Sequence, residues 1–265
     1  MTLIDSHCHL NYPGLVEDVA GVLGRARAAG VGGFLGISTR RSEWDAVVAQ
    51  ADAEADVWAT VGIHPHEADL HPDTDTATLI DATTHPRVIG IGETGLDYYY
   101  DKSDRDRQKA SFAAHIAAAR ATGLPLIVHT RDAEADTLDL LKAPGAGVLR
   151  GVIHCFTASQ AFAEEALALG FYISLSGIVT FKNARDLQAT AVTIPPDRLL
   201  VETDAPFLAP VPMRGKTCEP SFVAHTARFV AQLRGEGEAE LAARTTANFF
   251  RLFDKAGLNG AWPAP

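Results

Sequence analysis

The chain has 265 residues, 47% of them hydrophobic, and a net charge of −10, which gives material for one sizeable core and argues against salt-sensitive gripping of a long nucleic-acid backbone. An anionic substrate is not excluded, because a bound divalent cation can reverse the local field. Cys8, Cys155 and Cys218 are too few and scattered for a disulfide framework or a Cys-rich zinc site. With neither a basic-then-apolar leader nor an apolar run of roughly 20 residues, a soluble cytoplasmic protein without membrane contact is expected.

The first apolar run, "LIDSHCHL" (3–10), reads as a buried strand and is followed by a helical pattern over 15–29. Strand "VGGFLGI" (31–37) and helix 42–55 come next, then strand "VWATVGI" (57–63) and helix 75–83. Strand "VIGIGETGL" (88–96) leads to helix 104–122, and "PLIVHT" (125–130) to helix 132–142. "LRGVIHCF" (149–156), helix 159–169, "FYISLSG" (171–177), helix 183–192 and "LLVETDAP" (199–206) complete the alternation. Helices over 219–234 and 238–254 close the chain, the last with Phe249, Leu252 and Phe253 on one packing face.

Gly30, Gly123 and Gly170 stand where helices should end in a left-handed cap, and Thr157 or Ser159, and Ser42, are candidate N-caps. Eight strands alternating with helices predict an α/β fold, a (β/α)8 TIM barrel, as a single domain over residues 1–265. A doubly wound open sheet is the competing arrangement, but only the barrel uses all eight strands with a terminal helix over.

The polar residues collect at the carboxyl ends of these strands. Strand one offers His7 and His9, strand three His64 and His66, strand four Glu93 and Asp97. Strand five offers His129 and Arg131, strand six His154, strand eight Glu202 and Asp204. In a closed parallel barrel these ends meet at one mouth. So many ionisable groups in one cavity repel or stay unsatisfied unless divalent metals bind them, and imidazole with carboxylate is a matching donor set. His7 and His9 are therefore expected as ligands, with Asp5 orienting one of their rings. Cys8 and Cys155 each follow a histidine, so alternation should turn both thiols away from the metals into the layer between barrel and helices. Asp97 is expected to hydrogen-bond a ligand histidine.

In order along the chain, "DSHCHL", "GIHPH", "GETGLDYYYD", "IVHTRDA", "HCFTAS", "SLSGIVTFKNA" and "ETDAPFLAPVPMRGKTCEP" span nearly its whole length. Together they closely resemble the TatD-type metal-dependent deoxyribonucleases, a branch of the amidohydrolase-like barrel superfamily. "GETGLDYYY" and "ETDAPFLAPVPMRGK" are the specific parts; the paired-histidine opening is shared more widely. Cys218 departs from the polar residue, such as Asn, that relatives often carry there.

The resemblance implies two divalent ions (Mg, Mn or Zn), one held by His7, His9, Glu93 and Asp204, the other by Glu93, His129 and His154, with Glu93 bridging. Such a pair clamps the attacking and leaving oxygens of an in-line phosphoryl displacement. Asp204 then serves as general base, and His64 donates a hydrogen bond to a phosphoryl oxygen, with His66 peripheral. Arg131, Lys182, Arg214 and Lys216 lie in loops after the strands and are expected to bind substrate phosphate. "DYYY" (97–100) offers an aromatic ring for an unpaired base.

The expected activity is hydrolysis of DNA phosphodiesters, trimming 3′ ends of single-stranded or frayed substrate, with no obligatory protein partner. The same superfamily implies an alternative, a metal-dependent amide or ester hydrolase such as an aminoacyl-tRNA deacylase. A binding protein with a purely structural metal is the third reading. It fits poorly, because the candidate ligands exceed one closed shell and include no Cys.

Overall fold

The expected strands all form in a computed structural model, which describes residues 2–259. They are β1 (Leu3–Cys8), β2 (Val31–Gly36), β3 (Val57–Val61), β4 (Val88–Asp97), β5 (Leu126–Arg131), β6 (Gly151–Ile153), β7 (Tyr172–Leu175) and β8 (Leu199–Val201). All run parallel, each bonded to the next in sequence order. The intervening helices are α1 (Val19–Ala28), α2 (Trp44–Ala53), α3 (Thr76–Ala82), α4 (Arg105–Thr122), α5 (Glu134–Lys142), α6 (Gln160–Ala168) and α7 (Arg185–Thr193). Helices α8 (Val223–Arg234) and α9 (Glu238–Leu252) follow. The result is the (β/α)8 barrel.

Every residue of β4 is buried, as expected of a parallel strand covered on both faces. One apolar residue from each strand (Ile4, Leu35, Trp58, Ile89, Ile127, Val152, Tyr172 and Leu200) joins a single inner cluster. Phe249 and Leu252 of α9, with Phe253 just after it, complete that cluster, Phe249 packed 5.4 Å from Trp58 between ring centroids. Asn248 donates to Pro196 O and Leu199 O, and Thr246 to Thr2 O, so α9 lies across the amino-terminal ends of the strands. The terminal packing face therefore plugs the bottom of the barrel. A larger apolar layer, including Phe34, Phe112 and Phe162, separates strands from helices.

The seam between β1 and β8 is short. Cys8 bridges Ala205, His9 N–H donates to Ala205 O at 2.8 Å, and Asp204 N–H donates to His7 O at 3.0 Å. Closure of the barrel thus falls on the neighbours of three candidate ligands.

Gly30, Gly123 and Gly170 have φ of +88°, +72° and +89°, and Ser159 caps α6 by accepting the Phe162 N–H. Ser42 is not a cap: it lies inside a single 3-10 turn, Arg41–Glu43, and α2 starts without a side-chain cap bond. Strands six and eight are also shorter than expected, ending at Ile153 and Val201: one further cross-strand bond follows each, from His154 N–H to Val128 O and from Glu202 N–H to Leu175 O, before Cys155 and Asp204 take φ of +43° and +60°. Among the described residues no helix is long and apolar enough to cross a membrane.

Candidate metal centre

The carboxyl ends of the strands surround a cavity of about 480 Å³ lined by His9, His64, Glu93, His129, His154 and Asp204 among others. His7 lies directly behind it and is fully buried. Glu93 projects from the middle of β4, and His129 from the next strand, where Gly95 of β4 pairs with it in the ladder. A Cβ on Gly95 would stand 1.9 Å from His129 O, and its φ is +140°, so only glycine permits this approach of the two strands.

Glu93 divides its two oxygens between two groups. Oε2 faces Nε2 of His7 at 3.4 Å and Nε2 of His9 at 3.8 Å. The same two nitrogens face Asp204 Oδ1 at 3.7 and 3.3 Å. Oε1 faces His129 Nδ1 at 3.2 Å, His154 Nε2 at 2.7 Å and His64 Nε2 at 3.3 Å. His64 Nδ1 accepts the His66 backbone N–H at 3.1 Å, so in the neutral ring the proton sits on Nε2 and points at Glu93. His64 is therefore a donor here and not a free lone pair.

These separations test whether a cation fits. Two donors each about 2.1 Å from one cation stand about 3.0–3.4 Å apart in tetrahedral or octahedral sites. The observed spacings lie within a few tenths of that range. Of the ring nitrogens that face these carboxylates, Nε2 of His7 and Nε2 of His154 are buried without a hydrogen bond. His154 Nε2 is close to Glu93 but lacks hydrogen-bond geometry. Orphaned buried nitrogens cost free energy unless something binds them. The rings of His7 and His154 also stack at 3.9 Å, an arrangement that disfavours two charged imidazoles. The residues present fit divalent cations.

The electrostatics agree. Burial pushes the Glu93 carboxyl up, but the imidazoles of His154, His64 and His129 outweigh it and hold it well below the carboxylate range. Asp204 is lowered in the same way by His9 and His7 against burial. Burial brings His64 down to about 4, which keeps it neutral. The outer nitrogens of two rings meet carboxylates, His129 Nε2 with Asp97 Oδ2 at 3.1 Å and His154 Nδ1 with Glu202 Oε1 at 3.3 Å. Such partners fix which ring nitrogen is left to face the cation.

Asp97 does contact a ligand-set histidine as expected, and it shares the same oxygen with His66 Nε2 at 2.9 Å. Asp5 differs from expectation: it touches no imidazole. Its carboxylate accepts Thr203 N–H at 2.8 Å and Thr203 Oγ1–H at 2.5 Å, with the His7 backbone N–H at 3.4 Å. It braces the turn before Asp204 across the barrel seam, and burial pushes its carboxyl up to about 8 against the pull of Thr203. Cys8 is buried as expected, but Cys155 lines the cavity. β6 ends at Ile153 and Cys155 takes φ +43°, so strand alternation no longer governs it; its thiol meets Ser176 Oγ at 3.2 Å.

Of the four expected phosphate-binding cations, Arg131 lines the cavity. Lys182, Arg214 and Lys216 are exposed and outside its lining, with Arg214 stacked on Phe181 at 3.8 Å. Arg40 and Lys102 line it instead, Arg40 already paired with Glu43 and Glu67. Tyr12 and Phe207 were missed as lining residues. His9 stacks on Tyr12 at 4.7 Å, and Phe207 stands 6.3 Å from His9, half exposed. Their places, just after "DSHCHL" and "ETDAP", were the available signal.

A family model described as TatD related DNase matches residues 4–254. An uncharacterized metal-dependent hydrolase, YcfH of Escherichia coli K12, is 44% identical over 256 residues, covering 96% of each chain. A 3′-5′ ssDNA/RNA exonuclease TatD of Erwinia tasmaniensis is 36% identical over 258 residues, covering 95% of this chain and all of its own. The crystal structure of YjjV, a TatD homolog from Escherichia coli, superposes with a TM-score of 0.89 at 29% identity, covering 95% of this chain and 98% of that one.

Proposed function

This chain belongs to the TatD-related family of metal-dependent hydrolases, and on that premise we propose that it is an exonuclease removing nucleotides from the 3′ end of single-stranded or frayed DNA. The observation that carries this reading is the divided carboxylate of Glu93, one oxygen toward His7 and His9, the other toward His129 and His154. The relative named as a 3′-5′ ssDNA/RNA exonuclease supports the substrate class and polarity.

Two divalent ions (Mg, Mn or Zn) would be held by His7, His9, Glu93 and Asp204, and by Glu93, His129 and His154. When bound, they supply Lewis acidity to the phosphoryl oxygens and a lowered pKa for the attacking water. Asp204 meets both imidazoles through Oδ1, so Oδ2 is the oxygen that takes the proton of that water as general base. His64 Nε2–H, held neutral by burial, donates to a phosphoryl oxygen displacing its contact with Glu93. Tyr12, Phe207 and Tyr100 give the cavity aromatic wall that fits unpaired bases better than a duplex. A cavity of about 480 Å³ accepts a strand end, in keeping with a chain whose net charge of −10 would repel a long polyanion.

A single-stranded oligonucleotide labelled at its 5′ end tests this. With manganese or magnesium a ladder shortening from the 3′ end is expected, slowed by Glu93→Ala and by His129→Ala on the order of 1,000-fold each. A ladder unchanged by either substitution, or rapid hydrolysis of a small carboxylic ester with DNA left intact, would contradict it. The latter result would favour the amide or ester hydrolase.

A further inference from the structure

Arg131 stands between two cavities. It lines the metal-centre cavity and a second of about 330 Å³, and the two also share Thr130, Thr157 and Ile178, so they adjoin. The guanidinium carbon lies 4.1 Å from the ring centroid of Tyr99 and 4.8 Å from that of Tyr100. Tyr100 belongs to the wall of the metal cavity and Tyr99 to that of the side cavity. The two rings meet edge to face, and Asp97 Oδ1 holds both backbones by accepting their N–H groups at 3.0 and 2.9 Å. Among the described residues the Arg131 side chain makes no hydrogen bond or ion pair; two tyrosines position it instead.

The charge of the side cavity decides what it takes. Asp132 and Glu134 line it together with Arg131, so its formal charge is −1 and a phosphate gains little there. A neutral planar base gains from stacking on an aromatic face and on a guanidinium plane. Tyr99 keeps 58% of its surface exposed, area that a base would cover. The volume lies at the small end of the range for ligand pockets, about 300–1,000 Å³, which suits one nucleoside and not a continuing strand.

We propose that the side cavity receives the nucleobase of the terminal nucleotide, stacked on Tyr99 with the Arg131 guanidinium as its flat cationic wall. This rests on the nuclease reading above and changes the role of Arg131, from a phosphate charge to a base platform. The scissile phosphate then sits at Glu93, and the rest of the strand leaves through the open mouth.

The test compares kcat/KM of the full-length, metal-loaded enzyme on two single-stranded oligonucleotides that differ only at the 3′ nucleotide, adenine or abasic. The wild type is expected to prefer the adenine terminus about tenfold, the effect of one stacked base. Tyr99→Ala and Arg131→Lys, the latter keeping charge without a flat face, are expected to bring the preference to within about twofold of unity. A variant that merely folds poorly lowers both substrates alike and keeps the ratio. A ratio retained in either variant therefore overturns the proposal, as does a wild type that cleaves both oligonucleotides equally. A wild type that cleaves neither overturns the nuclease reading, and the pocket with it.

Discussion

Glu93 faces five imidazoles with two oxygens, which is why its carboxylate, and no neutral residue of similar shape, suits that position. His115 on α4 shows the opposite logic, a histidine kept for its neutral form. Its Nε2 accepts Ile63 N–H at 3.0 Å and its Nδ1–H donates to Ser111 O at 2.7 Å, with the ring itself fully buried. Burial pushes its pKa from the ordinary 6.5 to about 4. Between those values the unfolded chain binds the proton and the folded chain does not. Stability is therefore full above 6.5 and falls as pH drops toward 4. His115→Gln can accept and donate in the same places without titrating. In urea unfolding at about pH 7 and about pH 4.5, wild type is expected to lose about 2 kcal/mol more than this variant. Equal losses would contradict the assignment. At this scale the histidines and acids of the mouth were legible, because their spacing is set by strands. Asp5 and Cys155 were not: the first answers to Thr203, nearly two hundred residues away, and the second lies where the strand has already ended.

The elements fix the site through two backbones in near contact. Gly95 on β4 opposes His129 on β5, with no room for a Cβ and a backbone conformation that side chains resist. Gly95→Ala is expected to lower Tm by about 5 °C or more and to reduce bound metal measured by elemental analysis, since His129 must move. A Tm within roughly a degree of wild type, with full metal content, would show that the strands can part without cost. Helix and strand identities were legible from apolar periodicity and from glycines such as Gly123, which caps α4. The ends of β6 and β8 were not, because single cross-strand bonds from His154 and Glu202 follow the last strand residues before Cys155 and Asp204 take positive φ, a turn that no Gly or Pro at those positions announces.

Across the whole molecule, structure and chemistry divide between the two ends of the barrel. Phe249, Leu252 and Phe253 seal the bottom, and the ionisable residues gather at the top. That division was legible, since eight strands and one surplus amphipathic helix admit few other arrangements. The side cavity beside Arg131 was not, because it forms only where the segments after β4, β5, β6 and β7 meet in space. Everything proposed for the mouth depends on Glu93 joining two cations. A crystal soaked in manganese, with anomalous scattering recorded, addresses this directly. Two peaks are expected, one against Oε2 near His7 and His9, the other against Oε1 near His129 and His154. A single peak, or peaks that leave Glu93 untouched, would contradict the bridging carboxylate and the hydrolytic site built around it.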